Sequence, residues 1–194
     1  MSLTRYLAAI ALFVSSCANA EGPRLGIEYE LEKDRATGIR KHEVSLQPGW
    51  EFQNGPIDLV ELLIDRGRDA RADEEGFRAR ETKLFLRLRH EGELASAVSY
   101  YLQGGAGRSF NNEKNFWYAY VEPGLTLELG PRLQWMFGVR VGDAINGARG
   151  QRVLKYITGP SFTLDKRHEI ELQYQRARRD EDAWSVSIGY VHRF

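Results

Sequence analysis

Trp184-Ser-Val-Ser-Ile-Gly-Tyr-Val-His-Arg-Phe194, the final stretch of a 194-residue chain, decides the fold. Side chains of an extended strand alternate between its two faces. Trp184, Val186, Ile188, Tyr190, His192 and Phe194 therefore share one face, and Ser185, Ser187, Gly189, Val191 and Arg193 share the other. One face is apolar and aromatic, the other small and polar.

The same alternation recurs upstream. Period-two runs lie near 24–33, 39–52, 57–66, 78–90, 93–103, 115–129, 132–142, 152–164 and 168–177, with the closing run at 183–194. They predict an all-β, antiparallel up-and-down barrel of about 10 strands. Run 57–66 is apolar on both faces, which leaves its register open and keeps eight or twelve strands as alternatives. Many runs exceed the ~5–6 residues usual in soluble strands and reach the ~9–11 needed to cross a bilayer at a tilt. No linker, low-complexity tract or helical period of similar strength interrupts them, so residues 21–194 read as one barrel domain.

The closing strand resembles that of Gram-negative outer-membrane β-barrels, and the resemblance implies that the barrel assembly machinery recognises Phe194. Connection lengths agree with that architecture. Gln53-Asn-Gly-Pro56, His90-Glu-Gly-Glu93, Gly130-Pro131 and Asp165-Lys-Arg167 are short and rich in turn-forming residues, whereas 67–77, 104–114 and 143–151 are longer. Transmembrane barrels have short periplasmic turns and longer extracellular loops. With the amino-terminal end inside, an even strand count returns Phe194 to the periplasmic rim.

Composition narrows the class further. Lys plus Arg and Asp plus Glu both total 27, which gives no field to attract nucleic acid. The mean hydropathy of −0.47 excludes a helical membrane protein but permits a barrel, half of whose residues face away from lipid. Residues 1–20 read as a secretory signal: Arg5, a short apolar run from Tyr6 to Val14, then Ala18-Asn-Ala20 as a cleavage site. Val14-Ser-Ser-Cys17 offers lipidation at Cys17 as an alternative. Cys17 is the only cysteine, so the exported chain would be stabilised without disulfides.

Alternation alone does not say which face meets lipid; a lipocalin-like soluble barrel turns its apolar face inward. Nearly continuous apolar rows, such as Leu133, Trp135, Phe137, Val139 and Val141, favour the membrane arrangement. So do two aromatic girdles: Trp50, Phe52, Trp135, Phe162, Tyr190 and Phe194 at the periplasmic end, and Tyr29, Trp117, Tyr156, Tyr174 and Trp184 at the extracellular end. The outer membrane is the expected location.

The opposite face is charged. Glu28, Glu30, Glu43, Lys83, Arg87, Arg89, Arg132, Arg140, Lys155, Glu169 and Glu171, with Tyr118 and Tyr120, are the expected channel-lining residues. Such groups can line a narrow aqueous channel, or pair across a small lumen and fill it. Glu122-Pro-Gly-Leu-Thr-Leu-Glu128 followed by Leu133-Gln-Trp135 resembles the oligogalacturonate-specific porin family, whose basic tracks Arg87, Arg89 and Arg140 would match. That resemblance implies a monomeric, porin-like channel for small or acidic solutes. The chain departs from the family in having ten strands rather than twelve and a lumen as acidic as it is basic. A second resemblance, to small OmpA-like barrels, implies a salt-bridged lumen and a structural or surface-interaction role.

Other chemistries find less support. A barrel enzyme acting on lipid A or peptides is a third reading, but the histidines are poorly placed for it. His90 and His168 fall at periplasmic turns, and His42 and His192 point outward. Only His42, which Asp34 and Asp65 could approach, lies near the extracellular end. No cofactor or metal site is expected. Gly104-Gly-Ala-Gly107 reads as a flexible loop, since no helix follows to make a phosphate cradle. Arg66, Arg68, Arg71, Arg176, Arg178 and Arg179 crowd the extracellular side, where they could contact lipopolysaccharide phosphates or be neutralised by loop carboxylates.

Overall fold

A computed structural model describes residues 20–35, 38–53, 55–69, 80–111, 115–145, 152–179 and 182–194. The expected leader up to Asn19, with Cys17, and the loop residue Arg71 lie outside the described residues. Ten strands form: β1 (Ala20–Asp34), β2 (Arg40–Phe52), β3 (Leu59–Asp69), β4 (Arg80–Ala95), β5 (Val98–Asn111), β6 (Asn115–Gly130), β7 (Leu133–Ala144), β8 (Val153–Thr163), β9 (His168–Arg179) and β10 (Ala183–Arg193). Each pairs antiparallel with its sequence neighbours, and β1 pairs with β10 from Arg24↔Arg193 to Asp34↔Ala183, which closes the sheet. Closure leaves no unpaired edge, the condition for strands to cross lipid.

The outer surface is apolar all the way round. Ile27, Leu46, Ile64, Leu86, Leu102, Leu125, Phe137, Tyr156, Leu172 and Ile188, one from each strand, are all exposed there. In water that surface would cost about 25 cal/mol for each Å² left wet. In lipid it costs nothing. The chain is therefore an outer-membrane-type barrel with its polar face inward, and the lipocalin-like arrangement is set aside.

Two local readings change, and the open register of β3 is settled. The His90-Glu-Gly-Glu93 segment is strand, and the β4–β5 turn falls at Ser96-Ala97 instead. Gly92 permits this, because a Cβ there would stand 2.5 Å from the Tyr100 ring. The 104–114 segment is not a long loop, since β5 runs through Gly104–Gly107 to Asn111. Gly105 faces inward, and a Cβ on it would lie 2.6 Å from the Tyr120 ring, so glycine here admits an aromatic side chain. On β3, Leu59, Glu61, Leu63 and Asp65 face inward while Val60, Leu62 and Ile64 face lipid. Charge fixes that register: Glu61 meets Arg24 and Arg87, and Asp65 accepts a hydrogen bond from Ser45.

Candidate functional site

The inward rows of all ten strands converge on the lumen, and their charges organise it into tiers. Toward the periplasmic end, Arg24 reaches Glu51 at 3.0 Å, and Arg193 reaches Glu51 at 3.0 Å and Glu169 at 2.8 Å. Ser161 also donates to Glu169. These groups come from β1, β2, β8, β9 and β10, which are consecutive around the wall.

In the middle tier, Glu61 has a side chain with no exposed surface and is held between two guanidinium groups. Arg24 lies 3.2 Å away and Arg87 donates through Nε at 2.7 Å. Gln47 donates to Glu28 at 2.9 Å. Across the barrel, Glu122 accepts from Arg140 at 2.6 Å and from Tyr101 at 3.0 Å. Arg140 lies 4.4 Å over the Tyr120 ring, and Arg89 lies 4.4 Å over that of Tyr101, favourable positions for a cation against an aromatic face.

The extracellular tier is a quartet. Lys41 and Lys83 alternate with Glu43 and Glu81: Lys41–Glu43 is 3.1 Å, Lys83–Glu43 3.0 Å, Lys83–Glu81 3.7 Å, and Lys41 also contacts Glu81. Ser109 donates to Glu81 at 2.7 Å. Lys155 on β8 reaches Glu32 on β1 at 3.8 Å. A buried charge is tolerable only when paired, and these tiers meet that demand for every inward cation named.

A cavity of about 210 Å³ remains between the walls. Its lining runs from Glu32, Lys41 and Glu81 to Arg24, Leu59 and Arg89. Of the residues expected to line a channel, Glu28, Glu30, Glu43, Lys83, Arg87, Arg89, Tyr118, Tyr120, Arg140, Lys155 and Glu171 border this cavity. Glu169 faces inward below it, in the ion pairs with Arg193. Arg132 is a correction: it is exposed in the two-residue turn between β6 and β7, where the strand's alternation no longer assigns a face.

Charge pairing inside the cavity follows one of the two expected arrangements. The basic tracks are neutralised at source, Arg87 by Glu61, Arg140 by Glu122 and Arg89 by Glu91 at 2.6 Å. Glu28, Glu30 and Glu171 have no ion-pair partner among the described residues. The sequence reading missed Arg24 and Asp65. Parity with Glu28 identifies Arg24, whereas Asp65 depends on the β3 register. It also missed the inward apolar groups Leu59, Leu63, Phe85, Phe116 and Met136, which narrow the cavity without charge.

The other expected residues sit on the outer surface. Arg66, Arg68, Arg176 and Arg178 face outward toward the extracellular end, Arg176 bonded to Asp182 at 2.5 Å, and Arg179 ends β9. His42 faces outward and bonds Tyr29 at 2.6 Å. His90 lies in β4 rather than in a turn, 2.9 Å from Asp58, and His168 contacts Tyr190 at 2.5 Å.

No protein-family model matches the sequence, and no curated protein does. Solved structures share the fold. An outer-membrane channel from Pseudomonas putida F1 superposes with a TM-score of 0.58 at 10% identity, over 91% of this chain and 96% of that one. The translocator domain of autotransporter NalP from Neisseria meningitidis gives 0.53 at 12% identity, over 98% and 94%. A KdgM porin solved with disordered oligogalacturonate gives 0.47 at 8% identity, over 88% and 99%. The chain is similar in fold to the Pseudomonas channel and the NalP translocator domain, as an outer-membrane β-barrel.

Proposed function

We propose that this barrel is a narrow, porin-like channel for small solutes. One observation carries the reading: a polar cavity of about 210 Å³ persists inside the wall although nearly every inward cation is already paired. The pairs join near-neighbour strands, such as β1 with β3 and β2 with β4, and so brace the wall more than they bridge the lumen. Ten strands allow only a restricted bore, since wide aqueous channels use ~16–18.

The solute class follows from charge. The arginines expected to attract acidic solutes are held by glutamates, whereas Glu28, Glu30 and Glu171 border the cavity without a direct ion pair among the described residues. A lumen with that balance favours small cations and neutral polar molecules over anions. The Arg193 pairs with Glu51 and Glu169 lie toward the periplasmic end, outside the cavity lining, and are the constriction on this reading. Those same pairs favour a second reading, a closed structural barrel whose lumen stays filled.

Planar-bilayer recording of the detergent-extracted, refolded chain separates the two. Small, salt-dependent conductance steps are expected, with larger steps in Glu51→Gln/Arg193→Gln, which removes the constriction. Silence in both proteins would establish the closed barrel and sink the channel.

A further inference from the structure

The extracellular rim is not uniform. Arg176 on β9 bonds Asp182 at 2.5 Å and Arg152 beside β7 bonds Asp143 at 3.0 Å, whereas Arg178 on β9 has no ion-pair partner among the described residues. On β1, β2 and β3 the outward cations Lys33, Arg40, Arg66 and Arg68 have no ion-pair partner among the described residues. In the extracellular halves of these strands the outward positions are Ile27, Tyr29, Leu31 and Lys33, then Arg40, His42, Val44 and Leu46, then Ile64, Arg66 and Arg68, with no carboxylate among them.

Register packs these cations together. Lys33 stands opposite Arg40, His42 stands opposite Arg68, and Arg66 stands opposite Val44. Directly opposed side chains have Cβ atoms roughly 4.5–5.5 Å apart, so the groups occupy one patch. His42 adds a ring fixed by its 2.6 Å bond to Tyr29. Immediately below runs the exposed apolar row Ile27, Leu46 and Ile64, aligned by the same register. The patch thus begins where the lipid-facing surface ends, at headgroup level.

From this we infer that the outward rim of β1–β3 is a binding site for the phosphate groups of an anionic outer-leaflet lipid. Arginine forks match phosphate oxygens in bidentate fashion, and the apolar row below receives the acyl chains. A soluble phosphate would gain nothing from that row, so a lipid is the occupant to which the patch is shaped. The site faces away from the lumen, and the inference stands whether or not the barrel conducts.

Native mass spectrometry of the detergent-extracted full chain tests it, with diphosphoryl lipid A as the probe and its dephosphorylated form as the neutral control. Wild type is expected to retain the diphosphoryl lipid preferentially. Arg40→Gln/Arg66→Gln/Arg68→Gln should bind it on the order of tenfold more weakly or worse, while heat-modifiable gel migration reports an intact barrel. Arg66→Lys/Arg68→Lys should recover part of the binding, and Arg152→Gln should change little. Equal retention of the neutral lipid, or unchanged binding in the triple variant, would overturn the inference. Displacement by millimolar pyrophosphate would also overturn it, by assigning the patch to a soluble anion.

Discussion

The two sides of the lumen wall are built on different physics. From β1 to β4 the inward face is a ladder of ion pairs, in which Arg24, Lys41, Lys83 and Arg87 share Glu43, Glu51, Glu61 and Glu81. From β5 to β7 it is rings laid over glycines: Tyr101 over Gly124 and Gly138, Tyr118 over Gly142, and Tyr120 against Gly105. Among the described inward residues, only Arg140–Glu122 brings a direct charge pair into the second region, and Tyr101 joins it by a hydrogen bond. The first side tolerates changes of shape better than changes of charge. The second should behave the opposite way.

The largest effect is expected on the charged side. Glu61→Gln keeps the shape of a side chain with no exposed surface but leaves Arg24 and Arg87 short of a counter-ion. Removing one partner of a buried pair costs about 3–5 kcal/mol, which denaturant unfolding in micelles would measure. A cost below ~1 kcal/mol would mean that the ladder is solvated and the comparison fails.

On the glycine side, Gly138→Ala places a methyl group onto the Tyr101 hydroxyl. Overpacking of this kind costs roughly 1–3 kcal/mol. Most of that should disappear when Gly138→Ala is made in a Tyr101→Phe background, which removes the atom in the way. An equal penalty in both backgrounds would assign the cost to the backbone and not to the ring.

Glu30→Gln sharpens the contrast from the charged side itself. Glu30 has no ion-pair partner among the described residues, so neutralising it should shift stability by no more than ~0.5 kcal/mol in the same assay.

The smallest effect belongs to the β8–β9 turn. Asp165 accepts backbone N–H bonds from Arg167 at 2.8 Å and His168 at 3.0 Å, and these hold its carboxyl below the ordinary 3.8. A lowered folded-state value means that the contribution to stability is present above the ordinary value and fades as pH falls through the folded one. Carboxyl NMR titration should place Asp165 below a free aspartate; an ordinary value would remove this turn from the account.

Much of the architecture was legible because it depends on parity. The face of each residue on β1, β7 and β10 follows from alternation alone, and closing the barrel requires only that all strands agree. Parity failed where sequence and geometry part. The glycines of 104–107 read as loop because the sequence does not show the rings that lie against them. Arg132 read as inward because the turn begins one residue later than the pattern suggested. Pairing was the least legible property. Nothing local to Arg87 or Arg140 shows that Glu61 and Glu122 already neutralise them, since those partners arrive from other strands. A row of arginines therefore reads as a basic track in sequence, whereas the folded lumen pairs Arg87 with Glu61 and Arg140 with Glu122.

The reversal potential of the reconstituted chain under a KCl gradient tests the central claim most directly, because it reads the charge left over after pairing. Cation-selective current is expected, weakened by Glu28→Gln/Glu30→Gln/Glu171→Gln. Anion-selective current, or selectivity that the triple variant leaves unchanged, would contradict the account.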